Sequence, residues 1–215
     1  MRVRKVVTRS GKRIRGKFPS AKMNRMVHWE SLFERDAILH LEYHPLVVSY
    51  QEQPSIETYY DEAGEAHLYY PDFCARFVNG NELYIEVKPK RYLATREVRL
   101  KLEAVAWRFR EQEREFRVLS EEAIRREPLF SNLKTIHRST KKVANGHSSE
   151  QFAHALTGGP SWSFKDFAAQ MGSVRDALVL IRAGHLRVDL EATLIDDSTV
   201  WLAGAAGGSH GSFRI

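Results

Sequence analysis

Cysteine is nearly absent from this 215-residue chain, which contains only Cys74. A single thiol excludes a disulfide framework and a zinc site built from cysteines, so no zinc is expected. We expect Cys74 to be a small buried apolar residue. Long apolar runs are also missing: none approaches the roughly 20 residues needed to span a bilayer, and the N-terminus lacks the apolar segment of a secretion signal. The sequence therefore predicts a cytoplasmic protein without a membrane segment.

Acidic residues are missing from the start of the chain, where the first is Glu30. Basic residues are frequent there, and the whole chain has a formal charge of +6 and a pI near 9.5. This surplus favours a polyanionic partner, so residues 1–27 are predicted to form a basic arm that contacts phosphates. A disordered, solubilising tail is the alternative. The candidate DNA contacts, including two residues farther along the chain, are Arg13, Arg15, Lys17, Lys22, Arg25, Lys90 and Arg91.

The stretch from Tyr70 to Lys90 contains a PD-(D/E)xK pattern. Asp72 follows a proline, an Asn-Gly-Asn turn comes next, and the following strand alternates apolar residues with Tyr84, Glu86 and Lys88. This alternation puts Glu86 and Lys88 on one face of the strand, and the hairpin brings Asp72 beside Glu86. Asp72 as an ordinary turn residue, and Glu86 with Lys88 as a solvated ion pair, are the alternatives.

The chemistry that this pattern favours is hydrolysis of a nucleic-acid backbone. Carboxylates hold a hard divalent cation through oxygen, and Mg²⁺, with Mn²⁺ as its substitute, is the cation expected here. Such an ion clamps a phosphate and activates water, while a neighbouring lysine stabilises the developing charge. The predicted metal ligands are Glu34, Asp72, Glu86 and Val87.

Glu34 is included because it falls on the apolar face of a predicted helix over Val27–His44. A carboxylate on a core-facing stripe is costly unless it is paired or bound to a metal. Glu34 is therefore a candidate third acid facing Asp72 and Glu86. The alternative is that Glu34 pairs with an arginine at the edge of the core.

The segments around the motif predict a mixed α/β core. Residues 47–60 read as an interrupted strand, in which Gln53 either orients a water or a metal ligand or satisfies the backbone beside Pro54. After the motif, apolar residues at helical spacing lead into a strand over 116–119, so residues 88–119 form a strand, helix and strand with a parallel crossover. The apolar helical positions are Val98, Leu102, Val105 and Phe109.

The rest of the chain predicts a second small domain. Residues 139–150 have the composition of a linker. Ser163 and Ser173 are placed to cap two helices, and Leu186–Leu190 and Thr199–Leu202 read as short strands. Two helices and a strand pair are typical of a winged-helix-like domain over 151–202, followed by a flexible tail at 203–215.

Five sequence blocks resemble those of TnsA, the endonuclease subunit of heteromeric transposases, in order across about residues 15–125. They are Arg15-Gly16-Lys17-Phe18-Pro19-Ser20, Glu30-Ser31-Leu32-Phe33-Glu34-Arg35-Asp36, Ser49-Tyr50-Gln51-Glu52-Gln53-Pro54, Tyr70-Pro71-Asp72-Phe73 and Ile85-Glu86-Val87-Lys88. The resemblance implies a restriction-endonuclease-like PD-(D/E)xK domain over 28–138, with Glu34, Asp72, Glu86 and Lys88 as its catalytic residues. This chain keeps a glutamate at position 86, where the best-known family member has a glutamine, and its metal affinity is expected to be, if anything, higher.

The resemblance also implies a biological role. The family cuts the 5′ ends of a transposon with Mg²⁺, a TnsB-like DDE recombinase cuts and joins the 3′ ends, and a TnsC-like AAA+ regulator activates the pair. The C-terminal domain is expected to contact the TnsC-like protein, and the protein is expected in the bacterial cytoplasm, at the nucleoid when active. A PD-(D/E)xK nuclease that works alone, of phage or repair origin, and a non-catalytic DNA-binding scaffold are the other classes that the residues leave open.

Overall fold

The computed structural model describes residues 14–139 and 161–203. They form two compact units. The first contains the described residues up to Glu42 together with Leu46–Arg125, and the second contains Tyr43–Pro45 and the described residues from Arg126 onward. Both units combine helices and strands, which confirms the predicted α/β class. Within these described ranges, no helix has the length and apolar character needed to cross a bilayer.

Residues 16–29 form a β-hairpin, although the sequence predicted a basic arm over residues 1–27. β1 (Gly16–Ser20) pairs antiparallel with β2 (Arg25–Trp29), and the hairpin buries Phe18 and Val27. The predicted arm is therefore corrected: residues 16–27 are part of the folded unit, because their apolar side chains pack into it. The preceding positions, 1–13, lie outside the described residues.

A buried carboxylate secures the turn of this hairpin. Glu42 accepts hydrogen bonds from the Ser20 hydroxyl at 2.6 Å and from the backbone N–H groups of Ala21 and Lys22 at 2.8 and 3.0 Å. It also accepts one from the Tyr50 hydroxyl at 2.7 Å. Four donors compensate for the cost of burying this charge, so Glu42 fixes the hairpin to the helix that carries it.

That helix, α1 (Leu32–Tyr43), begins five residues after the predicted start at Val27. Ser31 caps it, because its hydroxyl accepts a hydrogen bond from the Glu34 N–H at 3.1 Å. Its predicted apolar stripe is confirmed at Ala37, Ile38 and Leu41, which are buried.

Six further strands follow in the first unit: β3 (Val47–Glu52), β4 (Glu57–Tyr60), β5 (Ala66–Tyr69), β6 (Phe73–Phe77), β7 (Glu82–Val87) and β8 (Glu115–Leu119). The order in the central sheet is β3-β6-β7-β8. β6 is antiparallel to β3 and β7, whereas β7 and β8 are parallel. β4 and β5 form a separate hairpin, which confirms the interruption predicted within residues 47–60.

Three helices complete the first unit: α2 (Lys90–Leu93), α3 (Arg96–Glu111) and α4 (Glu121–Ile124). α3 buries Leu102, Val105 and Phe109, as their spacing predicted. The predicted strand, helix and parallel strand are thus confirmed. Cys74 in β6 is only half-buried, and this partial burial raises the pKa of its thiol to about 11.

The described part of the second unit contains three helices and three strands: α5 (Leu129–Arg138), β9 (Ser161–Ser163), α6 (Phe164–Gln170), α7 (Val174–Arg182), β10 (Leu186–Val188) and β11 (Thr199–Leu202). Its sheet is antiparallel in the order β10-β11-β9. The predicted caps are confirmed, since the hydroxyls of Ser163 and Ser173 accept hydrogen bonds from N–H groups in the first turns of α6 and α7. β9 was not predicted.

The observed division of the chain differs from the predicted boundary at residue 138. α5 belongs to the second unit, because the Asn132 side-chain amide donates hydrogen bonds to the carbonyls of Leu190 and Ala192 at 2.9 and 2.8 Å. Most of the predicted linker and tail, and residues 151–160 of the predicted C-terminal domain, lie outside the described residues.

Candidate active site

Asp72 lies just before β6, at the point where the β6–β7 hairpin sets it beside Glu86. Phe73 pairs with Ile85, so in an antiparallel pair the residue before Phe73 faces the residue after Ile85. The Asp72 carboxylate accepts a hydrogen bond from the Val87 backbone N–H at 2.7 Å. The hairpin therefore places Asp72, Glu86 and Val87 together, as the sequence predicted.

Glu86 is almost completely buried, with a relative exposure of 6%. One carboxylate oxygen, Oε1, accepts a hydrogen bond from the Lys88 ammonium at 3.2 Å, and the other, Oε2, accepts one from the Tyr69 hydroxyl at 2.7 Å. Lys88 shares the face of Glu86, and its backbone N–H donates to the Leu119 carbonyl at 3.0 Å. The burial of Glu86 argues against a fully solvated pair, although the Lys88 side chain is 31% exposed.

Tyr69 was not predicted from the sequence. It ends β5, and only the packing of the β4–β5 hairpin against the sheet brings its hydroxyl to Glu86, 17 residues along the chain. Burial, and then the charges of Glu86 and Asp72, raise the pKa of the Tyr69 phenol well above its ordinary value. The hydroxyl therefore remains a hydrogen-bond donor to Glu86.

Glu34 approaches the site from the first turn of α1. Its carboxylate accepts a hydrogen bond from the Glu30 backbone N–H at 2.7 Å. Ser31 and Glu34 thus form an arrangement like a capping box, whose S-x-x-E signature is visible in the sequence and was missed. The alternative was that Glu34 pairs with an arginine at the edge of the core. The nearby arginines Arg35 and Arg125 instead pair with the buried Asp36, each at 2.7 Å.

Burial and the charges of neighbouring acids disfavour ionisation of Asp72 and Glu34. Burial, followed by the charges of Glu86 and Glu34, raises the pKa of the Asp72 carboxyl well above its ordinary value. Burial also raises the pKa of Glu34, with smaller contributions from the charges of Glu30 and Glu86. Carboxylates that disfavour each other's ionisation in this way favour a shared cation. The donor set therefore fits a divalent metal such as Mg²⁺.

The site acids are not the most tightly gathered metal-ligating group. Among the described residues, the group of three whose ligand atoms all lie within 4.8 Å of one another is Asp61, Glu65 and His67, in the β4–β5 hairpin. There the Asp61 carboxylate accepts hydrogen bonds from the His67 ring at 2.8 Å and from the Glu65 backbone N–H at 2.9 Å.

Gln53 links two acidic residues next to the site. It has a positive φ of 45°, and its backbone N–H donates to the Asp72 carbonyl at 2.9 Å. Its side-chain amide donates to the Glu30 carboxylate at 3.1 Å. Gln53 thus orients the segments that carry Asp72 and Glu30, and Glu30 is a nearby acid that the sequence reasoning did not select.

The predicted DNA contacts of the hairpin fall into two groups. Lys22 and Arg25 are bound within the protein: the Lys22 ammonium donates to the Leu41 carbonyl at 2.7 Å, and Arg25 forms two hydrogen bonds with Glu52 at 2.9 and 2.6 Å. Lys17 is exposed on β1, and Arg15, just before β1, is half-buried. Arg13 lies outside the described residues. Their contacts with phosphate remain predictions.

Lys90 and Arg91 lie two and three residues after Lys88, at the start of α2. The Lys90 ammonium pairs with the exposed Glu122 at 2.7 Å. The Arg91 guanidinium lies 4.8 Å from the centre of the Tyr92 ring. Both basic side chains are exposed, and their contact with DNA remains a prediction.

Residues 44–121 match a family model described as TnsA-like endonuclease N terminal. The matched segment is just over a third of the chain, and it contains Asp72, Glu86 and Lys88 but begins after Glu34. No curated protein sequence matches the chain. The resemblance to TnsA-type endonucleases is thereby confirmed for residues 44–121.

Proposed function

We propose that this protein is a metal-dependent DNA endonuclease that cuts the 5′, non-transferred strand at transposon ends during cut-and-paste transposition. The observation that carries the proposal is the meeting of Asp72, Glu86 and Lys88 within a segment that matches TnsA-like endonucleases. The central sheet, with its acids on β7 and beside β6, supports a restriction-endonuclease-like PD-(D/E)xK core.

In this proposal, Glu34, Asp72, Glu86 and the Val87 backbone hold Mg²⁺, for which Mn²⁺ substitutes. When bound, the ion polarises a phosphate oxygen and lowers the pKa of its water. Lys88 donates from the same strand face as Glu86 and stabilises the negative charge that develops on the phosphate. The Val87 N–H keeps the Asp72 carboxylate in place.

DNA is held by positive charge beside Lys88 and on the β1–β2 hairpin. Lys90 and Arg91 follow Lys88, and Arg13, Arg15 and Lys17 precede or belong to β1. Lys22 and Arg25 must exchange their partners within the protein, the Leu41 carbonyl and Glu52, to reach a phosphate. Contacts of this kind neutralise phosphates without reading bases, so they position the strand for cleavage and leave the choice of site to other subunits.

The C-terminal unit serves as a winged-helix-like domain that contacts a TnsC-like AAA+ regulator. The three helices and the three-stranded antiparallel sheet among its described residues support this architecture. Its second capped helix, α7, offers Arg175 and Arg182, but Arg175 Nε donates to the Ser139 carbonyl at 3.3 Å and Arg182 Nη1 is buried. The bond of Arg175 to the unit's own backbone and the burial of Arg182 Nη1 leave α7 few groups for reading a major groove, and this supports a protein partner.

Strand cleavage by site variants tests the proposal. Purified protein, with TnsB-like and TnsC-like partners, Mg²⁺ and transposon-end DNA, should cut the 5′ strands. Asp72→Ala or Lys88→Ala should reduce this cleavage by at least about 10²–10³-fold, the usual effect of losing one stabilising group in a transition state. Glu82→Ala, which removes an exposed carboxylate from the same strand, should leave cleavage unchanged.

The products distinguish this role from that of a nuclease working alone. Because the TnsB-like partner still joins 3′ ends, the Asp72→Ala mixture should shift from simple insertions to cointegrates, which junction sequencing detects. Full 5′ cleavage by Asp72→Ala, or cleavage by the wild type in a chelator, would refute the proposal. Rapid cutting of unrelated DNA without partners would favour the stand-alone nuclease.

A further inference from the structure

Tyr69 donates a hydrogen bond to a site carboxylate from the β4–β5 hairpin, which is separate from the central sheet. Its hydroxyl donates to Glu86 Oε2 at 2.7 Å, in a buried setting. We propose that Tyr69 is a positioning residue that fixes the Glu86 carboxylate for metal binding. This inference rests on the proposed metal-dependent function and adds a residue to it.

The ring of Tyr69 is itself held firmly. It is 3% exposed and belongs to a core cluster with Tyr84, Val105 and Phe109. The rings of Tyr59 and Phe116 meet it edge-on, at centroid distances of 6.5 and 6.1 Å. Close packing on these sides leaves the phenol one direction in which to point, so the position of its hydroxyl is set by the core.

The Tyr69 hydroxyl gives the two Glu86 carboxylate oxygens different partners. Oε2 is occupied by Tyr69, while Oε1 faces the Lys88 ammonium at 3.2 Å. A carboxylate held at one oxygen cannot rotate to pair with Lys88 through both oxygens. Glu86 therefore keeps Oε1 directed to the shared site, and Lys88 is not drawn into a two-point ion pair.

Removing the hydroxyl alone frees the carboxylate. Tyr69→Phe keeps the ring and its packing, but it leaves Oε2 buried without its donor. The carboxylate can then turn toward Lys88, and binding a metal must reverse this rotation. Partners that orient metal ligands typically contribute 10–100-fold to metal affinity, so Tyr69→Phe should weaken binding by about tenfold or more.

The chain provides a matched control in Tyr84→Phe. Tyr84 belongs to the same core cluster, and its hydroxyl also donates to a β7 glutamate, Glu82, at 3.3 Å. Both variants lose one hydroxyl from one cluster, but only Tyr69 contacts Glu86. Mn²⁺ is titrated into the full-length wild-type protein and each variant, and free Mn²⁺ is followed by its electron paramagnetic resonance signal.

The expected result is weakened Mn²⁺ binding in Tyr69→Phe and wild-type binding, within about twofold, in Tyr84→Phe. A double-mutant cycle with Glu86→Gln adds a second criterion. If Tyr69 acts through Glu86, Tyr69→Phe should cause no further loss once Glu86 is neutral. A core defect would instead weaken binding equally in both backgrounds.

Three outcomes would overturn the inference: wild-type affinity in Tyr69→Phe, an equal loss in Tyr84→Phe, or a full loss that persists in the Glu86→Gln background. Absence of Mn²⁺ binding in the wild type would refute the proposed metal site itself, and this inference with it. Normal metal-dependent cleavage and binding by Tyr69→Phe would refute only the positioning role, so the two failures are distinguishable.

Discussion

Replacing Asp72 by asparagine should stabilise the metal-free protein at neutral pH, although it removes a residue proposed to be essential for cleavage. Burial and the charges of Glu86 and Glu34 raise the pKa of Asp72, so ionising this group costs folding free energy. Asparagine is neutral and keeps an oxygen that can accept the hydrogen bond from the Val87 N–H. The substitution therefore removes the charge and preserves the local geometry.

The size of the effect follows from linkage between protonation and folding. Each pKa unit by which a native carboxyl exceeds its unfolded value costs about 1.4 kcal/mol of stability once the pH is above both values. For a protein of 150–250 residues, 1 kcal/mol corresponds to about 2–4 °C in Tm. Each unit relieved by Asp72→Asn should therefore raise Tm by roughly 3–6 °C.

The sign of the pH dependence is fixed as well. Below the unfolded pKa of about 3.9, Asp72 is protonated in both states and the penalty is absent. As the pH rises toward the raised native pKa, the unfolded state loses its proton first, so the wild type loses stability. The Tm difference between Asp72→Asn and wild type should be small at pH 4, grow as the pH rises, and become constant above the native pKa.

Thermal unfolding followed by circular dichroism at pH 4–8 measures this difference. Asp61→Asn is the matched control, because a hydrogen bond from His67 lowers the pKa of Asp61, and its replacement should not raise Tm at neutral pH. Mg²⁺ at ten times its Kd should stabilise the wild type by about 1.4 kcal/mol, a gain that Asp72→Asn should lose. A Tm at or below wild type at pH 7.5, or a gap independent of pH, would refute this reasoning.

The parts of the site that the sequence predicted are those fixed by neighbouring residues. Alternation along β7 set Glu86 and Lys88 on one face, and the turn at Asn79–Asn81 closed the hairpin that brings Asp72 to them. Both features depend on strand geometry and turn chemistry within about 20 residues, which local patterns specify well.

The features that sequence reasoning missed depend on distant contacts. The β1–β2 hairpin is held by Glu42, 20 residues or more from the turn that it binds. α5 is placed by Asn132, whose partners lie about 60 residues away. The Tyr69 hydroxyl reaches Glu86 only through the packing of a separate hairpin. No local pattern contains such contacts, because each is set by how complete elements pack.

Three further predictions concern Glu42 and the two ends of the chain. Glu42→Ala should destabilise the protein by about 3 kcal/mol or more, since several donors lose a charged acceptor, whereas Tyr50→Phe should cost about 1.5–3 kcal/mol; urea unfolding measures both. Removing residues 1–13, which carry six lysines and arginines, should weaken DNA binding and reduce the slope of log K against log salt by up to about 5. A protein that lacks all residues from Arg126 onward should still bind DNA but should no longer bind the TnsC-like regulator. A deletion that began at the end of the predicted linker, after Glu150, would be less suitable. It would keep α5 and expose its buried side chains Leu133 and Ile136 to solvent. DNA titrations at several salt concentrations and pull-downs compare the truncations, and a C-terminal deletion that loses DNA affinity but retains the regulator would identify that unit as the DNA reader.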